Sequence, residues 1–140
     1  MSMDDYSNSS TRVQLLRKDP KGYSEFLEQF LEHSNIGSAL TFQGIQGRRA
    51  SIFELEEKLK SLNIPTLIMT GDEDDPCIET SVFMKRSIPN SGLVVLPQSG
   101  HAINLEEPDL FNTSVLNFLT AVESNSWGVR DYGRKSGSLI

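Results

Sequence analysis

Apolar positions along this chain follow two rules. Up to Leu62 they recur at helical spacing; between Ile64 and Pro97 they come in two unbroken runs. Val13, Leu15 and Leu16 form a first short cluster, and Asp19-Pro20-Lys21-Gly22 then interrupts the pattern. Beyond it Phe26, Leu27, Phe30 and Leu31 line one helical face, so residues 11–33 predict a broken helix that Asn35 and Gly37 close. Ile52, Leu55, Leu59 and Leu62 repeat the helical spacing over Ser51–Leu62. A Ser51–Glu54 capping box opens that segment, and Asn63 and Pro65 stop it.

The two continuous runs, Ile64–Thr70 and Leu93–Pro97, predict strands covered on both faces, the pattern of a parallel sheet. A helix over Thr80–Ser87 and a turn at Pro89-Asn90-Ser91-Gly92 separate them. A last helix opens at Pro108, with Glu106 and Glu107 beside the positive end of its dipole. Leu110, Phe111, Val115, Phe118, Leu119 and Val122 give it an apolar face. Strand, helix, strand, helix with short links means a parallel pair joined by a right-handed crossover, hence α/β architecture. The chain then divides into a disordered N-terminus (1–10), a helical segment (11–50), an α/β core segment (51–123) and a flexible Gly/Ser/Arg-rich tail (124–140) in which Trp127 has no evident partner.

Composition narrows the function classes. A chain of 140 residues, 37% apolar and 23% charged, reads as one soluble domain. The formal charge of −6 argues against a nucleic-acid partner, which needs clustered positive charge. No apolar run approaches the roughly 20 residues of a membrane span, so no membrane partner is expected. The segment Met1–Ser10 has neither the basic start nor the apolar core of a signal peptide, and a cytoplasmic location is the default. Cys77 is the sole cysteine, which leaves no intramolecular disulfide and no thiol cluster; no cofactor and no metal are expected.

Candidate chemistry lies just after each apolar run, where functional groups of open parallel sheets collect. Gly71-Asp72-Glu73-Asp74-Asp75-Pro76 follows the first, and Ser99-Gly100-His101 the second. A carboxylate bonded to one ring nitrogen fixes the tautomer of a histidine and stabilises its imidazolium, which base catalysis at neutral pH requires. Other readings are weaker. The acidic run lacks the spacing of a Ca²⁺ loop, with its glycine and distal Glu. Cys77 lacks a nucleophile's strained turn and reads as a small buried hydrophobe. His33 reads as a surface or satisfied histidine.

Pro65, Leu67, Gly71 and Asp74, then Gly100-His101, then Asn104-Leu105-Glu106-Glu107-Pro108 together resemble the α/β-hydrolase fold family over residues 50–120. Residues 11–50 look like the cap helices of such enzymes. The resemblance implies a partial α/β-hydrolase fold: a helical cap remnant followed by the parallel strand-helix-strand-helix unit. It makes Asp74, three residues after the strand-end glycine, the triad acid and His101 the base, in the family's order Ser, Asp, His. No Gly-x-Ser-x-Gly occurs, and neither Ser81 nor Ser99 has the flanking glycines of an elbow. The nucleophile and half of the oxyanion hole are therefore expected to precede residue 1. The implied activity is hydrolysis of a small-molecule ester or related carbonyl-adjacent bond once an N-terminal half completes the site. The isolated chain is expected to be inactive and to self-associate through the open edge of its first strand. The alternative is a non-catalytic relic or interaction module.

Overall fold

A computed structural model describes residues 12–128. The expected N-terminal disorder and residues 129–140 of the expected tail lie outside the described residues. The first helical stretch is two helices, α1 (Val13–Lys18) and α2 (Pro20–Leu31). Asp19 separates them: its carboxylate accepts the Gly22 amide at 2.9 Å, and Pro20 starts the new helix without needing a donor. The segment does not close at Asn35 and Gly37. The Ser34 hydroxyl accepts the Gly37 amide at 3.1 Å and opens a further helix, α3 (Asn35–Thr41), which runs into a π-turn over Phe42–Gln46. A serine with extended backbone before the stop residues turns them into a start.

The Ser51–Glu54 capping box closes as expected, with Glu54 Oε1 accepting the Ser51 amide at 3.2 Å. The helix it opens is a 3₁₀ turn, Ile52–Leu55, followed by α4 (Glu56–Lys60). Strand β1 (Thr66–Gly71) and strand β2 (Ser91–Leu96) pair in parallel, in register from Thr66 opposite Ser91 to Gly71 opposite Leu96. Between them α5 (Asp75–Ser87) starts five residues earlier than expected. Pro76 occupies its first turn, and the Asp74 carbonyl accepts the amides of Cys77 and Ile78 at 2.8 and 3.1 Å. Strand β2 likewise starts early because Asn90 joins the ladder, its carbonyl accepting the Thr66 amide at 2.9 Å. The short α6 (Ile103–Glu106) and the long α7 (Pro108–Glu123) complete the order.

The buried apolar set is small and spread over the elements: Leu15, Tyr23, Leu59, Ile68, Ile88, Leu96 and Ile103. Around it several large apolar side chains face solvent, among them Ile36, Leu40, Phe42 and Ile45, each 62–74% exposed. Among the described residues no helix is long and apolar enough to cross a membrane.

Trp127 corrects the expectation of a flexible tail at its start. The indole packs edge-on against Phe118, ring centroids 4.8 Å apart, and its Nε1 donates to the Asn90 carbonyl at 3.2 Å. Gly92 makes the room, since a Cβ there would come within 2.5 Å of the indole. The end of α7 is thereby strapped to the start of β2. Trp127→Ala removes an aromatic pair and a hydrogen bond at a half-buried site. It is expected to lower stability by about 2 kcal/mol, below the roughly 3–5 kcal/mol of a core tryptophan. Urea unfolding measures this; a loss indistinguishable from zero would mean the strap carries no load.

Candidate active site

The strand register sets the site. Gly71 lies opposite Leu96, so the segments leaving β1 and β2 emerge at one edge of the sheet and are stitched together there. The Asp72 amide donates to the Leu96 carbonyl at 3.0 Å, the Glu73 amide to the Ser99 carbonyl at 2.9 Å, and the Ser99 amide to Asp72 Oδ1 at 3.3 Å. Gln98, at φ 54°, takes the left-handed conformation that turns the second segment back. That segment crosses Gly71 so closely that a Cβ there would lie 2.1 Å from the Ser99 carbonyl oxygen. No side chain fits at this position.

Asp74 and His101 meet. Nδ1 of His101 lies 2.8 Å from Oδ2 of Asp74. The carboxylate side chain is 5% exposed and the imidazole 51%. With Nδ1 turned to the acid as donor, Nε2 is the ring nitrogen left for chemistry, and it has no hydrogen-bond partner among the described residues. The other members of the acidic run go elsewhere. Asp72 serves the Ser99 amide, while Glu73 accepts from Arg17 Nη2 at 3.0 Å and Gln14 Nε2 at 2.9 Å. Those two donors hold the Glu73 carboxyl below its ordinary range, Arg17 contributing most. Asp72 and Glu73 are thus occupied by donors of the protein itself.

Two supports escape sequence reading. Glu106 does not serve the α7 dipole. It is 6% exposed and accepts the amides on either side of the histidine, Gly100 at 2.6 Å and Ala102 at 3.0 Å. A carboxylate among backbone donors is a strong, directional clamp. The second support is α1, whose Lys18 ammonium donates to the fully buried Ser99 hydroxyl at 2.9 Å and pairs with Glu107, while Arg17 donates to the Gln98 carbonyl at 2.8 Å. The available signal for Glu106 was its place between Leu105 and Pro108 beside a histidine loop, which by itself does not tell a clamp from a cap. Ser99 and Ser81 are both buried, Ser99 donating to the Pro97 carbonyl at 3.1 Å. His33 sits at the end of a ring stack along α2, its Nδ1 3.0 Å from the Phe30 carbonyl.

Cys77 lies on the first turn of α5, with its sulfur 3.8 Å from His101 Nδ1. Burial first, then the Asp74 carboxylate beside it, push its thiol up to about 11. The reactive form is the thiolate, so this environment suppresses nucleophilic character at neutral pH.

A parallel α/β unit with a buried acid and an outward-facing histidine at one strand edge is the class that fold and site define together. No protein-family model matches the chain. Among curated proteins it is 30% identical over 112 residues to RutD of Agrobacterium fabrum, provisionally titled a carbamate hydrolase. That alignment covers 79% of this chain and 39% of RutD. It is 34% identical over 64 residues to ABHD14A of Mus musculus, covering 46% of this chain and 26% of that one. Among solved structures, MenH from S. aureus superposes with a TM-score of 0.79 at 25% identity, over 86% of this chain and 45% of MenH. The chain thus spans less than half the length of these relatives. It belongs to the α/β-hydrolase family.

Two outcomes follow from this geometry. Glu106→Gln keeps shape but loses charge at both clamped amides, so it is expected to cost about 2 kcal/mol, within the roughly 1.5–3 kcal/mol of hydrogen bonds to charged groups. It should also broaden the downfield Nδ1–H resonance of His101 by proton NMR, whereas Glu107→Gln leaves that resonance sharp. Alkylation of Cys77 by iodoacetamide should be slower at pH 8 than that of free cysteine. Its rate should still be climbing above pH 10, because the thiolate accumulates only as pH approaches about 11; a plateau by pH 9 would contradict the environment described.

Proposed function

We propose that this chain supplies the acid, Asp74, and the general base, His101, of a serine-type hydrolase acting on a small-molecule ester or related carbonyl-adjacent bond. The observation that carries the reading is the 2.8 Å contact between His101 Nδ1 and Asp74 Oδ2, made by a buried carboxylate and an imidazole open on its other side. In this arrangement the carboxylate holds the tautomer in which Nε2 is unprotonated. Nε2 takes the proton of an attacking hydroxyl, the imidazolium is stabilised by Asp74, and the proton is returned to the leaving group. The 140 residues contain no Gly-x-Ser-x-Gly. The hydroxyl and the oxyanion donors therefore come from further polypeptide, joined to this segment or separate from it.

Two features support a completing partner. The sheet has two strands, so each keeps an outer edge unpaired among the described residues. The apolar side chains at Ile36, Leu40, Phe42 and Ile45 are also uncovered. Alone, such edges favour self-association. The absence of an elbow also favours a second reading, an interaction module in which the Asp–His pair is idle.

A graft separates the two. Residues 12–128 replace the matched segment of S. aureus MenH, and turnover of an activated ester is measured. The grafted protein should hydrolyse it, His101→Ala and Asp74→Asn should each lower kcat on the order of 10³–10⁴-fold, and the 140-residue chain alone should be silent. A folded graft that is silent, or whose turnover survives either substitution, removes the catalytic reading.

A further inference from the structure

Three donor atoms of different chemistry converge at the strand edge. A carboxylate oxygen of Asp74, the Cys77 sulfur and a ring nitrogen of His101 all lie within 4.8 Å of one another. Asp74 and Cys77 stand three residues apart at the start of α5, on the same side of its first turn, and His101 faces them from the loop after β2. Tetrahedral zinc, with bonds of about 2.0–2.3 Å, separates its ligand atoms by roughly 3.5 Å. The sulfur-to-nitrogen edge is 3.8 Å and nearly meets that. The nitrogen-to-Oδ2 edge is 2.8 Å and would have to open by less than about an ångström.

An independent observation points to a missing occupant. Asp74 is 4% exposed, and while Oδ2 holds the imidazole, its other oxygen, Oδ1, is buried with no nitrogen or oxygen donor among the described residues, the Cys77 thiol lying beside the carboxylate. Buried carboxylate oxygens without a donor are rare and call for a reason. A cation bound by the carboxylate through both oxygens, together with the sulfur and the ring nitrogen, would give this one a partner as well. Thiolate, imidazole and carboxylate together select zinc-like ions over magnesium or calcium. Cys77 is half-buried and His101 exposed, so the group is not sealed from solvent.

We propose that Asp74, Cys77 and His101 form a zinc site that switches off the base; the switching rests on the catalytic reading of His101. The ion bonds to Nδ1, to the thiolate and to the Asp74 carboxylate. The thiol proton leaves to solvent. The imidazole remains neutral and keeps one proton, which moves through solvent from Nδ1 to Nε2. Nε2 then has an N–H in place of its lone pair and can no longer accept a proton from an attacking hydroxyl. Zinc and catalysis thus compete for the tautomer of one ring.

The test titrates the 140-residue chain with cobalt(II), its fold followed by circular dichroism, and then displaces cobalt with zinc. One cobalt should bind per chain, with a near-ultraviolet thiolate-to-cobalt band and the visible bands of a tetrahedral ion. Cys77→Ser should abolish the first band. His101→Ala should weaken binding by more than the roughly tenfold that even outer-shell partners cost, and His33→Ala should change nothing. In the MenH graft, zinc should inhibit ester turnover, and Cys77→Ser should raise the inhibitory concentration at least tenfold. A folded chain or graft without the thiolate band in excess cobalt, or a band that survives Cys77→Ser, overturns the site. Cobalt bound as described in a folded but silent graft removes the catalytic reading and leaves the site. An active graft that zinc does not inhibit removes the switch and leaves the catalytic reading.

Discussion

The backbone between Ser99 and Gly100 lies on Gly71 at a distance no side chain tolerates, and the geometry of the strand edge depends on that crossing. Strand pairing brings Gly71 level with Leu96, but register alone leaves two loops free to splay. The crossing, with the amides of Asp72 and Glu73 bonded to the carbonyls of Leu96 and Ser99, converts two loops into one layer. Each such bond contributes only about 1 kcal/mol net. Their effect is geometric: Asp74 on one loop and His101 on the other lose the freedom to separate.

Charge is distributed around this layer with partners of its own for each acid. Asp72 takes an amide of the histidine loop, Asp74 the histidine, Glu106 the two amides beside it, and Glu73 and Glu107 the cations of α1. The two most buried carboxylates, Asp74 and Glu106, are compensated by an imidazole and by backbone dipoles rather than by lysine or arginine. For the proposed base that choice matters. A cation within bonding distance of Asp74 would compete for the carboxylate that must stabilise the imidazolium. The lysine and arginine of α1 instead bind Ser99, Gln98, Glu73 and Glu107, one layer away, where they brace the loop without touching the pair.

The two strands and the meeting of Asp74 with His101 were legible because both depend on short-range sequence. Unbroken apolar runs mark strands covered on two faces, and a polar residue after such a run has few places to go. What escaped depends on partners distant in the chain. Helix α5 begins at Asp75 because Pro76 fits its first turn and the Asp74 carbonyl accepts its first amides, whereas apolar spacing becomes visible only later, and the early start is what turns Cys77 toward His101. Trp127 among Gly, Ser and Arg reads as tail until Gly92 is seen to leave it a seat. Glu106 sits beside Glu107 in sequence, yet one is a buried clamp and the other a half-exposed partner of Lys18. Ser34 shows the reverse error: Asn35 and Gly37 carry stop signals locally, but a capping hydroxyl one residue earlier restarts the helix.

Site and periphery are stabilised by different means. The periphery has a small apolar core, unpaired strand edges and helices with uncovered apolar faces. The strand edge is held by short hydrogen bonds and by a close backbone contact that exposure elsewhere does not weaken. An Asp–His pair built this way is pre-organised within the described residues, since its orientation comes from Asp74 at the start of α5, from Glu106 at the end of α6 and from Arg17 and Lys18 of α1. On the proposed reading, further polypeptide would add the attacking hydroxyl and a dry pocket without having to reposition the base. The exposure contrast between Asp74 and His101 fits that reading: the acid is already sealed, and the open side of the ring faces solvent.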